Sequence, residues 1–373
     1  MSGIYIHIPY CKQACHYCDF HFSTNTQNAS EMVDAMCNEI KIKKDFLDKK
    51  PVETIYFGGG TPSLLPVSLI EKLLNELAKV HPLDLKEVTL EANPDDVYKE
   101  KLKDWKALGF DRLSIGIQSF DAEALRYMNR CHDEKDAERS VKTAQDSGFE
   151  NLNLDLIFGI PTIASETSLL DLEKIIALNP YHIASYCMTI EEKTVFGNKY
   201  SKGDLIPVSD TEACDLYQKI ANRLSEVGFD HYEISNFGLP NYYAKHNLSY
   251  WEDKKYIGLG PSAHSYDGLN RYINTRNNQK YIHQITTGLS FFETEKLSPE
   301  NKINEHIMTK LRTMWGIDIK NFIALFGINA YEKLLNSGEK WINEAYLSID
   351  SQKIIVNKNG KLLVDSICQD LFH

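Results

Sequence analysis

Residues 3–20 read Gly3-Ile4-Tyr5-Ile6-His7-Ile8-Pro9-Tyr10-Cys11-Lys12-Gln13-Ala14-Cys15-His16-Tyr17-Cys18-Asp19-Phe20. The first six residues form a β-rich run closed by Pro9, so a strand is expected over 3–8 with the cysteines on the loop that leaves it. The spacing CxxxCxxC puts three thiols on one short segment. Thiolates are soft ligands suited to iron and zinc. Three of them can hold three irons of a cubane and leave the fourth iron without a protein ligand. A Cys3His zinc site completed by His7, His16 or His21 uses the same spacing and stays open at this point. Eight cysteines in 373 residues are too sparse for a disulfide scaffold, so this cluster points to metal or redox chemistry.

Outward from that loop, β-rich runs recur at 52–58, 87–93, 112–119, 151–159 and 182–190. Amphipathic stretches lie between them at 68–80, 97–108, 137–147 and 169–178, several closed by Gly109, Gly148 or Pro180. Strand-then-helix order implies parallel strands with crossover helices, and six units predict an α/β fold with a partial (β/α)6 barrel. After about Gly238 the rhythm breaks into a Tyr- and Asn-rich stretch, helical segments at 303–314 and 319–325, and a hairpin expected at 353–356 and 361–364 around Lys358-Asn359-Gly360. The expected division is therefore a barrel domain over 1–238 and a smaller winged-helix-like domain over 239–373. A chain of 373 residues suits a barrel of about 250 residues plus such an appendage.

Composition excludes several classes. With 43% apolar and 25% charged residues, and no apolar run near the ~18 needed to span a bilayer, no transmembrane segment is expected. The start MSGIYIHIPY lacks a basic n-region and a long apolar h-region, which makes the cytoplasm the expected location. A formal net charge of −11 repels phosphate backbones and argues against nucleic acid as a partner.

Further motifs lie at the ends of the expected strands. Gly58-Gly59-Gly60-Thr61-Pro62-Ser63 follows the second strand, and Glu91-Ala92-Asn93-Pro94 follows the third. Consecutive glycines let backbone amides approach a ligand closely. Glu91, Gln118 and Asp155 fall at or near the ends of successive strands, where barrel enzymes build their sites. Together with the cysteine loop, these motifs resemble the radical S-adenosylmethionine (SAM) superfamily. The resemblance covers nearly the whole chain and is nearest to the branch containing oxygen-independent coproporphyrinogen III dehydrogenase and the HemW haem chaperones. It implies a 4Fe-4S cluster on Cys11, Cys15 and Cys18, with SAM chelating the open iron through its amino and carboxylate groups. Carried over residue by residue, it also implies a SAM site lined by Tyr5, Tyr17, Gly59, Gly60, Thr61, Glu91, Gln118, Arg130 and Asp155. Arg130, in Tyr127-Met128-Asn129-Arg130-Cys131-His132, would pair with the SAM carboxylate, for which a guanidinium fork is suited. Cys37, Cys131, Cys187, Cys214 and Cys368 are scattered and read as small hydrophobes.

Two departures separate the branches. The dehydrogenase resembles CxxxCxxCxC and carries a long segment ahead of its cluster. Here the fourth Cys position is Phe20, and only ten residues precede Cys11. Toward the other branch, His246-Asn247-Leu248-Ser249-Tyr250-Trp251 matches the HNxxYW motif that marks the haem chaperones. An imidazole can ligate haem iron while aromatic rings cover the macrocycle, which makes His246 the candidate haem ligand. The bland alternative is that the segment packs the barrel against its appendage. His264, in Gly260-Pro261-Ser262-Ala263-His264-Ser265, is a second candidate. The resemblance implies a haem chaperone that passes haem to an acceptor protein. A porphyrinogen-oxidising enzyme and a zinc-stabilised binding protein are the alternatives.

Overall fold

Alternation in the first strand decides which face meets which layer. In β1 (Gly3–Ile8) the residues Ile4, Ile6 and Ile8 are buried beneath α1 (Ala29–Ile42), whose Met32, Val33, Met36 and Ile40 form the facing stripe. Tyr5 and His7 point to the opposite face, the barrel interior. The computed structural model describes residues 2–373 and repeats this pattern five more times. Strands β2 (Val52–Gly59), β3 (Leu83–Ala92), β4 (Arg112–Gln118), β5 (Asn151–Phe158) and β6 (His182–Cys187) follow β1 in parallel order, with Gly3 opposite Thr54 and His7 opposite Gly58 in the first pair. The crossover helices α2 (Val67–Val80), α3 (Lys99–Ala107), α4 (Ala122–Tyr127), α5 (Glu134–Asp146) and α6 (Ser165–Ala177) follow the strands in turn. The first and third of the helices expected between the strands end at Val80 and Asp146, within a residue or so of the sequence reading. This partial α/β barrel is the fold class expected.

The division of the chain differs from the expectation. The sheet has twelve strands in the order β12-β11-β10-β9-β1-β2-β3-β4-β5-β6-β8-β7, where β7 is Asp230–His231, β8 Asn236–Gly238, β9 Tyr256–Leu259, β10 His264–Tyr266, β11 Asn270–Asn274 and β12 Phe292–Lys296. Strand β9 pairs parallel to β1, and β10 to β12 continue antiparallel. Residues 239–296 thus extend the barrel sheet, and the boundary lies after Lys296 rather than at Gly238. The physical reason is the open edge of β1, whose backbone donors and acceptors need partners. A short, Tyr-rich strand supplies them without a strong periodic signal.

A second, separate core begins with Ile307 and includes Leu311, Phe322, Leu334, Trp341, Ile354, Ile367 and Leu371. It joins four helices, Pro299–Leu311, Ile319–Phe326, Ile328–Asn343 and Val364–Leu371, to a three-stranded antiparallel sheet of Ile317–Asp318, Leu347–Ile349 and Lys353–Val356. The expected hairpin around Lys358-Asn359-Gly360 does not form. Residues Lys358–Leu363 turn as a 3-10 helix into the last α-helix, because Val364, Ile367, Cys368 and Leu371 recur at helical spacing and are buried together. The hairpin instead joins Leu347–Ile349 to Lys353–Val356. Asp350 closes its turn by accepting from the N–H groups of Gln352 at 2.6 Å and Lys353 at 2.7 Å. Among the described residues no helix is long and apolar enough to cross a membrane.

Candidate metal and cofactor site

The cysteine loop leaves the carboxyl end of β1 and is pinned at three points. Cys11 N–H donates to Ser23 O at 3.1 Å, Ser23 N–H to Pro9 O at 2.9 Å, and His16 N–H to Met128 O at 3.1 Å. Cys11, Cys15 and Cys18 are all half-buried free thiols. Burial pushes the Cys11 thiol up to about 12, opposed by a hydrogen bond from Thr61 and reinforced by the charges Cys18 and Cys15 would carry. Cys18 is raised for the same reason, with burial again the largest cause. The three thiols feel one another's charge, and as thiolates they are the soft ligands a metal cluster takes, although they are not already drawn together around one point. Each histidine that would complete a zinc site has a ring nitrogen hydrogen-bonded elsewhere, and His7 has both. His7 Nε2 pairs with His21 O at 2.8 Å, His16 Nδ1 with Tyr127 O at 2.9 Å, and His21 Nε2 with Asn278 Oδ1 at 2.7 Å.

Around the loop, the strand ends form a polar rim. Glu91, at the end of β3, accepts from Tyr56 Oη at 2.8 Å and from the Gly59 N–H at 3.2 Å. Burial pushes its carboxyl up to about 7, and the neighbouring Asp155 charge adds to the rise. Asp155 on β5 accepts from Asn153 Nδ2 at 2.6 Å, yet burial still lifts it to about 6. Gln118 closes β4 with φ +67 beside a register shift against β5, a bulge that re-aims the strand end. Tyr5 stacks on Tyr56 with ring centroids 6.1 Å apart, and Tyr5 Oη meets His7 Nδ1 at 3.2 Å. The glycine triplet serves the protein as well as any ligand. A Cβ on Gly60 would stand 2.7 Å from Tyr10 O, and one on Gly59 would stand 2.5 Å from the His7 ring. The triplet therefore lets the root of the cysteine loop close against β2.

Arg130 ties rim and loop together. Its Nη1 lies 3.4 Å from both Cys15 Sγ and Tyr17 Oη, and its Nη2 donates to Asn93 Oδ1 and Gly116 O at 2.9 Å each. Its Nε is buried with no partner, although such a donor ordinarily finds one. SAM brings a carboxylate, an amino group, a sulfonium and a ribose. An orphaned guanidinium donor and two carboxylates, from the Arg130 loop, β3 and β5, beside a loop carrying three thiols, suit those groups, so the residues present fit the cofactor.

The other motif behaves differently. In the helix Lys245–Trp251 the N–H groups of Lys245 and His246 donate at 3.0 Å each to the Glu87 carboxylate, which caps the helix. His246 is only 1% exposed. Its Nδ1 pairs with Thr54 Oγ1 at 2.9 Å and its Nε2 with Tyr250 Oη at 2.8 Å, while its ring stacks on Tyr56 at 5.2 Å. Gly3 and Thr54 begin their strands, so this ring plugs the amino-terminal floor of the barrel. Both nitrogens of the expected haem ligand are thus hydrogen-bonded within the protein, and the ring is closed off from solvent.

Comparison with known proteins adds an independent finding. The radical SAM superfamily profile matches residues 5–170. Heme chaperone HemW of Bacillus subtilis (strain 168) is 34% identical over 98% of both chains. The protein of that name from Lactococcus lactis subsp. lactis (strain IL1403) is 34% identical over 96% of this chain and 94% of its own. The one from Escherichia coli (strain K12) is 32% identical over 98% of this chain and 97% of its own.

This chain belongs to the HemW family of radical SAM proteins. A solved structure of Escherichia coli coproporphyrinogen III oxidase (HemN), described as a radical SAM enzyme, superposes with a TM-score of 0.87 at 22% identity, covering 100% of this chain and 90% of that one. At that identity the likeness establishes the fold. Within this HemW-family chain, sequence reasoning missed Tyr56 and Asn93 as rim residues, although Asn93 lies in the quoted Glu91-Ala92-Asn93-Pro94. Tyr56 sits two residues before Gly58 on the same face of β2, which is the signal that would have found it. Gly116 O was not legible, because a backbone acceptor leaves no trace in residue type.

Proposed function

We propose that this protein is a haem chaperone, binding haem and a SAM-ligated 4Fe-4S cluster and passing haem to an acceptor protein. The observation that carries this reading is the full-length identity to relatives named heme chaperone HemW, which spans barrel and appendage alike. Cys11, Cys15 and Cys18 hold the cluster. Arg130 orients the SAM carboxylate with its unpartnered Nε, and its contacts to Asn93 and Gly116 O hold the guanidinium ready for it. Glu91, fixed by Tyr56 and the Gly59 N–H, receives the cationic end of SAM, while Asp155 takes ribose hydroxyls. Tyr5, Tyr17, Gly59, Gly60, Thr61 and Gln118 complete the walls. When bound, the reduced cluster supplies an electron to the sulfonium.

The test is anaerobic reconstitution followed by haem titration with and without SAM, read at the Soret band and in the iron–sulfur absorbance. The expected result is about one haem per chain with the cluster retained, and onward transfer to an apo-haemoprotein. A chain that loads a cluster and takes up no haem overturns the reading.

A further inference from the structure

With both His246 nitrogens hydrogen-bonded in the floor, the open imidazole of the barrel lies elsewhere, in a cavity beside the cysteine loop. A cavity of about 450 Å³ lies between β1, the segment after Cys18 and the β9–β10 edge, lined among others by Phe20, His21, Tyr250, Tyr256, His264 and Arg276. Its size falls within the roughly 300–1,000 Å³ of small-molecule sites. Phe20 stands 71% exposed at its border, a large apolar ring with little to cover it. Tyr250 and Tyr256 meet edge-on at 4.7 Å and add aromatic surface.

Three histidines reach this cavity, and His264 alone has neither ring nitrogen hydrogen-bonded. Both nitrogens of His7 are engaged, by Tyr5 Oη and His21 O, and His21 is held by Asn278. The exposed ring of His264 makes no hydrogen bond among the described residues. Its backbone is fixed by pairing with Ile273 and by close contact with Gly258, where an added Cβ would stand 2.0 Å from His264 O. On the same wall Arg276 donates to Asp19 O at 2.5 Å and lies 3.7 Å from the Asp19 carboxylate, with donors of its fork left over. A flat apolar body, one imidazole acceptor for a metal and a guanidinium for an acid match a metalloporphyrin with propionates.

We propose that this cavity is the haem site, with His264 ligating the iron, Arg276 pairing with a propionate, and Phe20, Tyr250 and Tyr256 covering the macrocycle. The assignment rests on the haem-chaperone reading. It puts haem beside the cluster loop, on the face of β1 that also carries Tyr5 and His7.

The experiment titrates ferric protoporphyrin IX into anaerobically reconstituted full-length protein. His264→Ala should lose the imidazole-bound Soret position and bind about tenfold or more weakly, with the iron–sulfur absorbance unchanged as the check on folding. Adding free imidazole to His264→Gly should restore the wild-type spectrum, a rescue that a purely structural role would not give. Arg276→Gln should weaken binding of haem but not of its dimethyl ester. Wild-type spectrum and affinity in His264→Ala overturn the assignment while the chaperone reading stands. If the wild-type chain itself binds no haem, the chaperone reading falls first.

Discussion

The two ends of the barrel are built from the same strands and similar residues, yet their polar groups end up in opposite states. At the floor, His246, Thr54, Tyr250 and Glu87 satisfy one another and the first turn of the helix Lys245–Trp251. At the rim, Arg130 keeps a bare Nε, Glu91 and Asp155 are pushed toward neutrality, and three thiols crowd one loop. Strands β1 to β3 contribute Gly3, Thr54 and Glu87 to one end, and His7, Gly58 and Glu91 to the other. A closed hydrogen-bond set marks scaffold. Groups held away from their comfortable state by everything around them mark the place a ligand completes.

The largest effect that would break this contrast is at the cysteine loop. Cys15→Ala should abolish the 4Fe-4S spectrum after anaerobic reconstitution while circular dichroism stays that of the folded chain, and retention of a full cluster would mean the loop is not its seat. At the floor, His246→Ala removes a stacked ring and strands Thr54 and Tyr250 without partners. Denaturant titration should show a loss of about 2–4 kcal/mol, with cluster content per folded molecule unchanged. Loss of haem binding without loss of stability would make the floor a site after all.

A smaller change is expected at the guanidinium. Arg130→Ala should weaken SAM binding by roughly 1.5–3 kcal/mol, followed by the SAM-dependent change in the EPR spectrum of the reduced cluster. The smallest effect concerns Glu91, whose carboxyl rises from 4.5 to about 7 on folding. Between those values the folded chain holds the proton that the unfolded chain has released, so stability falls as pH rises through this window, and the penalty is complete above it. Glu91→Gln removes the titration. Discounted for partial solvent access, it should gain about 1 kcal/mol over wild type at pH 8 and nothing at pH 4, measured by denaturation of the cluster-free protein. An unchanged difference across that range would show that Glu91 is ordinary scaffold.

Much of this was legible in the residues. The period-2 alternation of Ile4, Ile6 and Ile8, broken by Pro9, located β1 and its loop, and Gly109 and Gly148 punctuated the helices between later strands. The thiol spacing announced soft-metal chemistry, because ligand softness and reach along a short loop are local properties. Tertiary structure alone decided the rest. His246 meets a threonine 192 positions away and a glutamate 159 positions away, and no pattern within its own segment distinguishes a buried, doubly bonded imidazole from one that waits for iron. The addition of β9 to β1, and the helical turn at Lys358 in place of a hairpin, were settled in the same way, by which distant edge or core had unsatisfied groups to offer. Short-range chemistry is written in residue type and period. Whether a polar group is spent or spare depends on partners that only packing brings within reach.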